Sequence, residues 1–468
     1  MAILELLHTE ILLSLLIVLL LVLKLTDIKL SAEAFMRVAQ AGLLVLLAAG
    51  FLFRPGGQAF GDMFFTNNLI RLEKNILTLG TLIITLQSGS WIKNHAHAVE
   101  FYLLMFTALL GSFFLLSSGN LLMFYLGLEM STLPLAALVN FDLDKKRSAE
   151  GAFKLIVTSA FASGLLLFGL SWLYGSTGTL SIEVLASGLA VSPFTVFAIM
   201  MVLAGIGFKI SAVPFHLWTA DVYEGAPMPV TAYLSVVSKA AVVFVLATLL
   251  HKVWSNLQSY WYTALVMMAI LTMLIGNLFA LRQQQIKRFL AFSSIGQVGF
   301  ILVALCHAAA ASQAAVIYFL IIYLFSNLAA FGVVTTISQQ TGKEMISDYT
   351  GLRQSNPTLA WMLAIALFSL AGVPPMAGFF GKFFLLIAGA GKANWMLIVI
   401  AAFNMIISMA YYLNIVRLMF MHKTVEPLPR LRLSTQTFLS LSICIAGIMV
   451  TGLVSGAYHY IAKVVQLP

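Results

Sequence analysis

Apolar runs of about 18 residues or more recur from one end of this sequence to the other, and a run of that length is what a helix needs to cross a bilayer. The chain has 468 residues, 61% of them hydrophobic and 9% charged. A soluble globular domain carries about a quarter charged residues. The pattern specifies an all-α polytopic membrane protein. No window is polar enough and long enough for a separate soluble domain. The first run, "ILLSLLIVLLLVLKL", follows Glu5 and Glu10 rather than a basic segment and lacks a small-residue cleavage site, so it is expected to stay as a span.

Hydropathy predicts about fourteen helices, over 10–25, 35–53, 70–88, 98–117, 120–140, 150–174, 193–218, 227–250, 261–281, 288–308, 313–339, 358–388, 393–420 and 436–462. The loops between them are short. Sixteen basic residues fall on loops 1–2, 3–4, 5–6, 9–10, 11–12 and 13–14, among them Lys29, Lys145, Lys146, Arg147 and Arg288. Six fall on the opposite side: Arg54, Arg71, Lys74, Lys252, Lys392 and Lys463. The positive-inside rule then places both termini outside, in the periplasm of a bacterium whose inner membrane holds the chain. The formal charge of +9 is largely this topology signal, and no nucleic-acid partner is expected.

Four lysines remain inside predicted spans: Lys154, Lys209, Lys239 and Lys382. Glu129 lies mid-span in "FYLGLEMSTLPLAAL". An ionisable group at such depth costs roughly 2.5–3.5 kcal/mol by insertion scales, so it faces protein or a wet cavity. Burial favours the neutral form of a lysine and a nearby carboxylate favours the charged form. A buried lysine beside a movable carboxylate can therefore take and release a proton near neutral pH. The five residues read as a proton relay. Lys154, nearest a helix end, has the competing option of snorkelling to the surface.

Two predicted spans are interrupted. "AGIGFKISAVP" holds Gly205, Gly207 and Pro214, and "LAGVPPMAGFFGKFF" holds Gly372, Pro374, Pro375, Gly378 and Gly381. Each carries a lysine beside its break. Broken helices at corresponding places in two halves are the pattern of transporters built from inverted repeats. Residues 152–169 resemble 315–332, both ending in Phe-Gly. The expected organisation is helices 1–3 over 1–97, a first five-helix repeat over 98–250, a second over 261–420, and a last helix over 436–468.

Other polar groups divide by position. His216, just after the first break, is a candidate relay group. Asp221 and Glu224 are expected in a loop after span 7. His95 and His97 read as loop-surface histidines. Cys306 and Cys444 stand singly in apolar runs and imply neither a disulfide nor a cluster. Without a glycine-rich nucleotide motif or a Cys-x-x-Cys, the chain is expected to carry no redox cofactor and no metal.

These residues resemble one family. "FKISAVPFHLWTADVYEGAPMPVTAYLSVVSKAA" (208–241), "NLFALRQQQIKRFLAFSSIGQVGFIL" (277–302) and "SLAGVPPMAGFFGKFFLL" (369–386) are similar to the antiporter-like membrane subunits of respiratory complex I. Within these they look like the N subunit of bacterial NADH-quinone oxidoreductase. The likeness covers the whole chain. It implies two inverted five-helix repeats with helices 7 and 12 broken. It implies proton translocation driven by NADH oxidation and quinone reduction in partner subunits, which hold the FMN, iron–sulfur clusters and quinone. K and M subunits are the implied neighbours.

By that resemblance Glu129 and Lys209 form a coupled pair, Lys239 connects, and Lys382 is the span-12 group. M subunits typically carry glutamate there, and L subunits a long C-terminal extension. One departure is Gln297, where many N subunits have histidine. Two other readings share the fold: a cation/proton antiporter subunit of the Mrp type, and a structural subunit that pumps nothing.

Overall fold

The computed structural model describes residues 2–26, 31–53, 56–93, 95–424, 427–454 and 456–466. Lys29 and Arg54 of the charge count lie outside them. Seventeen helices of eight residues or more follow in order. They are α1 His8–Leu25, α2 Ala32–Leu52, α3 Asn68–Ile92, α4 Ala98–Leu116, α5 Leu121–Val139 and α6 Lys146–Thr177. After them come α7 Pro193–Ile210, α8 Trp218–Gly225, α9 Met228–Val253, α10 Gln258–Arg282, α11 Ile286–Leu305 and α12 Ala310–Thr341. The last five are α13 Pro357–Ala371, α14 Ala377–Gly389, α15 Trp395–Met421, α16 Thr435–Leu453 and α17 Gly456–Gln466.

Twelve of the described helices are long and apolar enough to cross a membrane. Two predicted spans fall outside that set for separate reasons. The predicted span 12 is cut into α13 and α14. The predicted span 3, α3, is polar: Glu73, Lys74, Asn75, Thr78, Thr81, Thr85, Gln87 and Ser88 are all buried on it. It packs among α2, α4, α9, α12 and α16, so protein rather than lipid surrounds it. Gln87 donates to the Leu328 carbonyl of α12 at 3.0 Å. The expected span 7 also stops early, at Ile210, and the predicted span 14 is two helices, α16 and α17.

Local chemistry sets the helix starts. Ser31, Asn67, Asn120, Ser192, Asn394 and Ser434 each accept a first-turn backbone N–H through the side chain. Such caps are worth about 1 kcal/mol each.

The two halves match in their backbone bonding. Before α5, Asn120 bridges Ser181; before α11, Gln285 bridges Met345. Leu121 N donates to Leu180 O and Ile182 N to Gly119 O, both at 2.9 Å. Ile286 N donates to Glu344 O at 2.9 Å and Ile346 N to Gln284 O at 2.7 Å, which is the same pattern. Helices α6 and α12 both run 32 residues and end on a left-handed glycine, Gly178 and Gly342. α4 crosses α5, and α10 crosses α11, at close quarters. A side chain at Gly111 would strike the α5 backbone at Ser131, and one at Gly276 the α11 backbone at Gly296. Small residues at crossings let membrane helices approach this closely.

One element was not anticipated. Gly57–Ala59 pairs antiparallel with Phe64–Thr66 in the α2–α3 connection, in the register Gly57 to Thr66 and Ala59 to Phe64.

Candidate functional site

Both breaks are built bond for bond alike. α7 ends where Ser211 takes a left-handed conformation (φ 64°), and α13 where Gly372 does (φ 82°). At the first, Ser211 N donates to Phe208 O at 3.0 Å and Ala212 N to Gly207 O at 2.8 Å. At the second, Gly372 N donates to Ser369 O and Val373 N to Phe368 O, both at 3.0 Å. Each break continues through a cis X-Pro bond, at Pro214 and at Pro375. Side chains close what remains. Trp218 Nε1 donates to Phe208 O at 3.1 Å, and Thr272 Oγ1 accepts from Val213 N at 2.9 Å. Ser369 Oγ accepts from Gly378 N at 3.2 Å and from Ser326 Oγ at 2.7 Å. Irregular backbone at membrane depth persists only when protein or water satisfies it in this way.

The lysines do not share the match. Lys209 precedes its break on α7, whereas Lys382 follows its break on α14. In the backbone alignment that pairs Ser211 with Gly372, Leu370 occupies the place of Lys209.

Around Lys209, hydroxyls meet the charge rather than carbonyls of the break. Its Nζ donates to Thr132 Oγ1 on α5 and to Ser159 Oγ on α6, the latter at 3.2 Å. Glu129, one turn before Thr132, accepts from Ser163 Oγ. Ser159 and Ser163 are themselves one turn apart, so α6 offers one rung to each partner. The coupled pair is not in direct contact. Among the described residues no carboxylate stands within 4.0 Å of Lys209 Nζ.

Lys239 lies in the middle of α9, directly after a π-helical turn over Leu234–Ser238. Such turns are often found at functional sites. It is 2% exposed, donates to Ser294 Oγ on α11 at 2.9 Å, and sits 5.4 Å from the centre of the Tyr223 ring. Lys382 is 1% exposed. It donates to Leu370 O at 2.8 Å, Ala371 O at 3.3 Å and Ser408 Oγ at 3.4 Å, with the Phe300 ring centre 4.8 Å away. It thus caps the carbonyl end of α13, where a cation is favoured by the helix dipole.

Gln297 shares an acceptor with Lys382. One turn beyond Ser294 on α11, its Nε2 donates to Leu370 O at 3.0 Å and to Tyr412 OH at 3.2 Å. Tyr412 OH shares a 2.5 Å hydrogen bond with Ser293. The Gln297 Oε1 is buried without a partner among the described residues. The result is a polar line from Lys239 through Ser294 and Gln297 to Leu370 O and Lys382.

Two candidates are placed elsewhere. Lys154 stands two turns into α6, 38% exposed, and pairs with Glu150 and Asp221, each at 2.7 Å. Arg288 pairs with Asp221 and Glu224 at 2.8 Å each, and Arg147 with Glu224 at 3.1 Å. Asp221 and Glu224 are on α8, not in a loop, and this cluster clamps α6, α8 and α11 at one face. Burial pushes the Asp221 carboxyl up, but hydrogen bonds from Lys154 and Arg288 outweigh it and hold the group below the usual carboxylate range. His216, within the first break, is 7% exposed with its Nδ1 unpartnered among the described residues. His95 stacks on Phe141 with ring centres 4.7 Å apart and lies 4.0 Å from Asp142.

One buried ionic group escaped sequence reasoning. Lys74, counted among loop-flanking cations, is buried on α3 and pairs with Glu10 of α1 at 2.5 Å. Glu73 is buried beside it. The signal was present as a glutamate in each of two predicted spans, but their proximity is a tertiary fact.

Residues 118–408 match the family model described as NADH:quinone oxidoreductase/Mrp antiporter, TM. NADH-quinone oxidoreductase subunit N of Phocaeicola vulgatus is 44% identical over 408 residues, covering 86% of each chain. The subunit N of Azobacteroides pseudotrichonymphae is 43% identical over 437 residues, 92% of this chain and 91% of that one. A chain of respiratory complex I from Thermus thermophilus with bound aureothin superposes with a TM-score of 0.81 at 28% identity, over 96% of this chain and 97% of that one. A chain of the Mrp complex from Dietzia shares the fold, with a TM-score of 0.85 at 20% identity over 99% and 97%.

Proposed function

Because the chain belongs to the NADH:quinone oxidoreductase/Mrp antiporter family of membrane subunits, we propose that it is the N-type subunit of a proton-translocating NADH–quinone oxidoreductase. It conducts protons while redox chemistry runs in partner subunits, and the chemistry of FMN, iron–sulfur clusters and quinone belongs to those partners. The other membrane subunits of the complex adjoin it, with K and M as neighbours, in a bacterial inner membrane with both termini periplasmic.

The observation that carries this reading is the line joining Lys239 and Lys382. Each is a lysine deep in the protein with no carboxylate within 4.0 Å among the described residues. A static structural role is better served by an ion pair or an apolar side chain. A group that must give up and regain a proton is better served by hydroxyls, a carbonyl and an aromatic face, which hold the ammonium without locking it. Glu129 and Lys209 form the loading end, where the serine rungs of α6 let the carboxylate approach or leave the ammonium. Lys239 receives the proton, the Ser294–Gln297 segment orders the path, and Lys382 passes it on. Gln297 hydrogen-bonds but does not titrate near neutral pH, so water carries the proton past it. His216 assists between the first break and Lys239. Lys154 holds the α6–α8–α11 clamp at the entrance. The segments 98–250 and 261–420 act as two copies of one unit, and the matched bridges and breaks support that division.

The test is Lys239→Met in the assembled complex, which keeps the stem and removes the proton site. The expected result is loss of NADH-driven proton uptake together with slowed quinone reduction. Wild-type values of both would sink the relay.

A further inference from the structure

A cavity of about 320 Å³ lies apart from the lysine line, at the face that carries the α2–α3, α4–α5 and α6–α7 connections. The Gly57–Thr66 hairpin roofs it through Gln58 and Phe65. Its walls are largely apolar, with Leu69, Ile70, Leu115 and Leu116 among them, and its far side is the end of α9 from Val245 to Val253. Such a volume holds several waters, since one needs only ~10–15 Å³ of this measure.

Glu73 lines this cavity, yet it is only 2% exposed, and its Oε1 has no hydrogen-bond partner among the described residues. A buried carboxylate left ionised without donors is strongly disfavoured. The neighbouring ammonium of Lys74 is engaged by Glu10 at 2.5 Å, and Thr9 donates to that same carboxylate at 2.9 Å. His8 and Arg71 belong to the Glu10–Lys74 group. The charges acting on Glu73 are Lys252, exposed at the cavity rim, and Lys74. Asp62 and Glu183 also line the cavity, and Glu183 accepts from Gln58 at 3.1 Å.

We propose that this cavity is a second proton port, in which Glu73 takes a proton from cavity water and returns it, with Lys252 as the charged arm at the mouth. The port stands on the helix of the central lysine: Lys252 is 13 residues beyond Lys239 on α9, about 20 Å along the axis. It lies at the opposite face from the Asp221–Arg288 clamp. Its proton exchange does not depend on the lysine relay, so either can fail without the other.

The experiment uses membranes that hold the assembled complex. A lipophilic carbodiimide adds the O–H of a protonated carboxyl across its C=N bond, and O-to-N acyl migration leaves a stable N-acylurea with nothing released. Mass spectrometry of the peptide containing Glu73 then reads the adduct. Buried and without a donor, the carboxyl favours its neutral form, so the wild type is expected to carry the adduct, with several-fold less at about pH 9 than at about pH 6. Glu73→Gln, which keeps the shape and allows assembly, is expected to carry none. Lys252→Met removes a cation that favours the carboxylate, so the yield at about pH 9 rises several-fold. An infrared carboxyl band that follows a pH step and vanishes in Glu73→Gln supplies the reading without a reagent. If there is neither adduct nor band, or if the yield ignores both pH and Lys252→Met, the port is overturned.

Discussion

Gln297 and Lys382 donate to one and the same acceptor, the Leu370 carbonyl at the broken end of α13, at 3.0 and 2.8 Å. A carbonyl has two lone pairs, so both bonds are made together. The amide therefore fixes the atom that the ammonium leans on.

Gln297→Leu removes one donor and leaves the carbonyl to Lys382 alone. Assembly should persist, and coupled proton uptake should fall about tenfold, or ~1.4 kcal/mol in the barrier. Gln297→His keeps a donor and should restore most of the rate. Initial rates of fluorescent-probe quenching against NADH oxidation, in inverted vesicles, measure both.

The Lys74–Glu10 pair is structural and its removal should show in stability. Lys74→Met strands Glu10 in the core, and breaking a buried pair costs roughly 3–5 kcal/mol. The double variant Glu10→Leu/Lys74→Met should recover most of the loss. Thermal unfolding of the purified complex in detergent distinguishes the two. Equal losses in both would show that packing of the stems, not the stranded charge, dominates.

Gly378 packs directly on the Ser369 carbonyl across the second break, where any Cβ would overlap it. Gly378→Ala must push α13 from α14, at roughly 1–3 kcal/mol for overpacking. Lowered assembly yield on native gels is the expected sign. Gly164, with open space around it, should accept alanine without effect.

The Asp221 clamp gives a pH dependence. Its carboxyl sits below the unfolded value of about 3.9, so its contribution is complete above that value. It is lost as pH falls through the lower folded value. Partly exposed as the pair is, its worth is about 1 kcal/mol or less. The stability difference between wild type and Asp221→Asn should be constant above about pH 5 and shrink below about pH 4. Unfolding midpoints across that range check it.

The spans were legible because each must be apolar over its whole length, and the breaks because proline and glycine mark them. Most boundaries fell within a few residues, as 98–117 does against Ala98–Leu116, but 193–218 overran an end at Ile210. The break was marked, but its exact place was not, because Ser211 rather than a glycine turns the chain there. Lys209, Lys239 and Lys382 stood out as charges where hydropathy forbids them. What holds each was not legible. Thr132 and Ser159 lie 77 and 50 residues from Lys209, and nothing local to either announces the contact. Lys74 was misplaced for the same reason. A polar helix inside a bundle and a polar helix end near a loop read alike until Glu10, 64 residues away, arrives beside it.

The mismatch between matched breaks and unmatched lysines has an electrical consequence. With successive spans crossing in alternate directions, the seventh and twelfth run antiparallel. A charge before the break in one and after the break in the other then lie on the same side of the membrane midplane. In the relay proposed above, a proton passed between Lys209 and Lys382 stays on one side of that midplane. Such a step does little work against the transmembrane voltage, which charges about 2.3 kcal/mol per 100 mV only for a full crossing. In the proposed relay the voltage therefore acts on entry and exit, and the transfer between lysines is left to local chemistry.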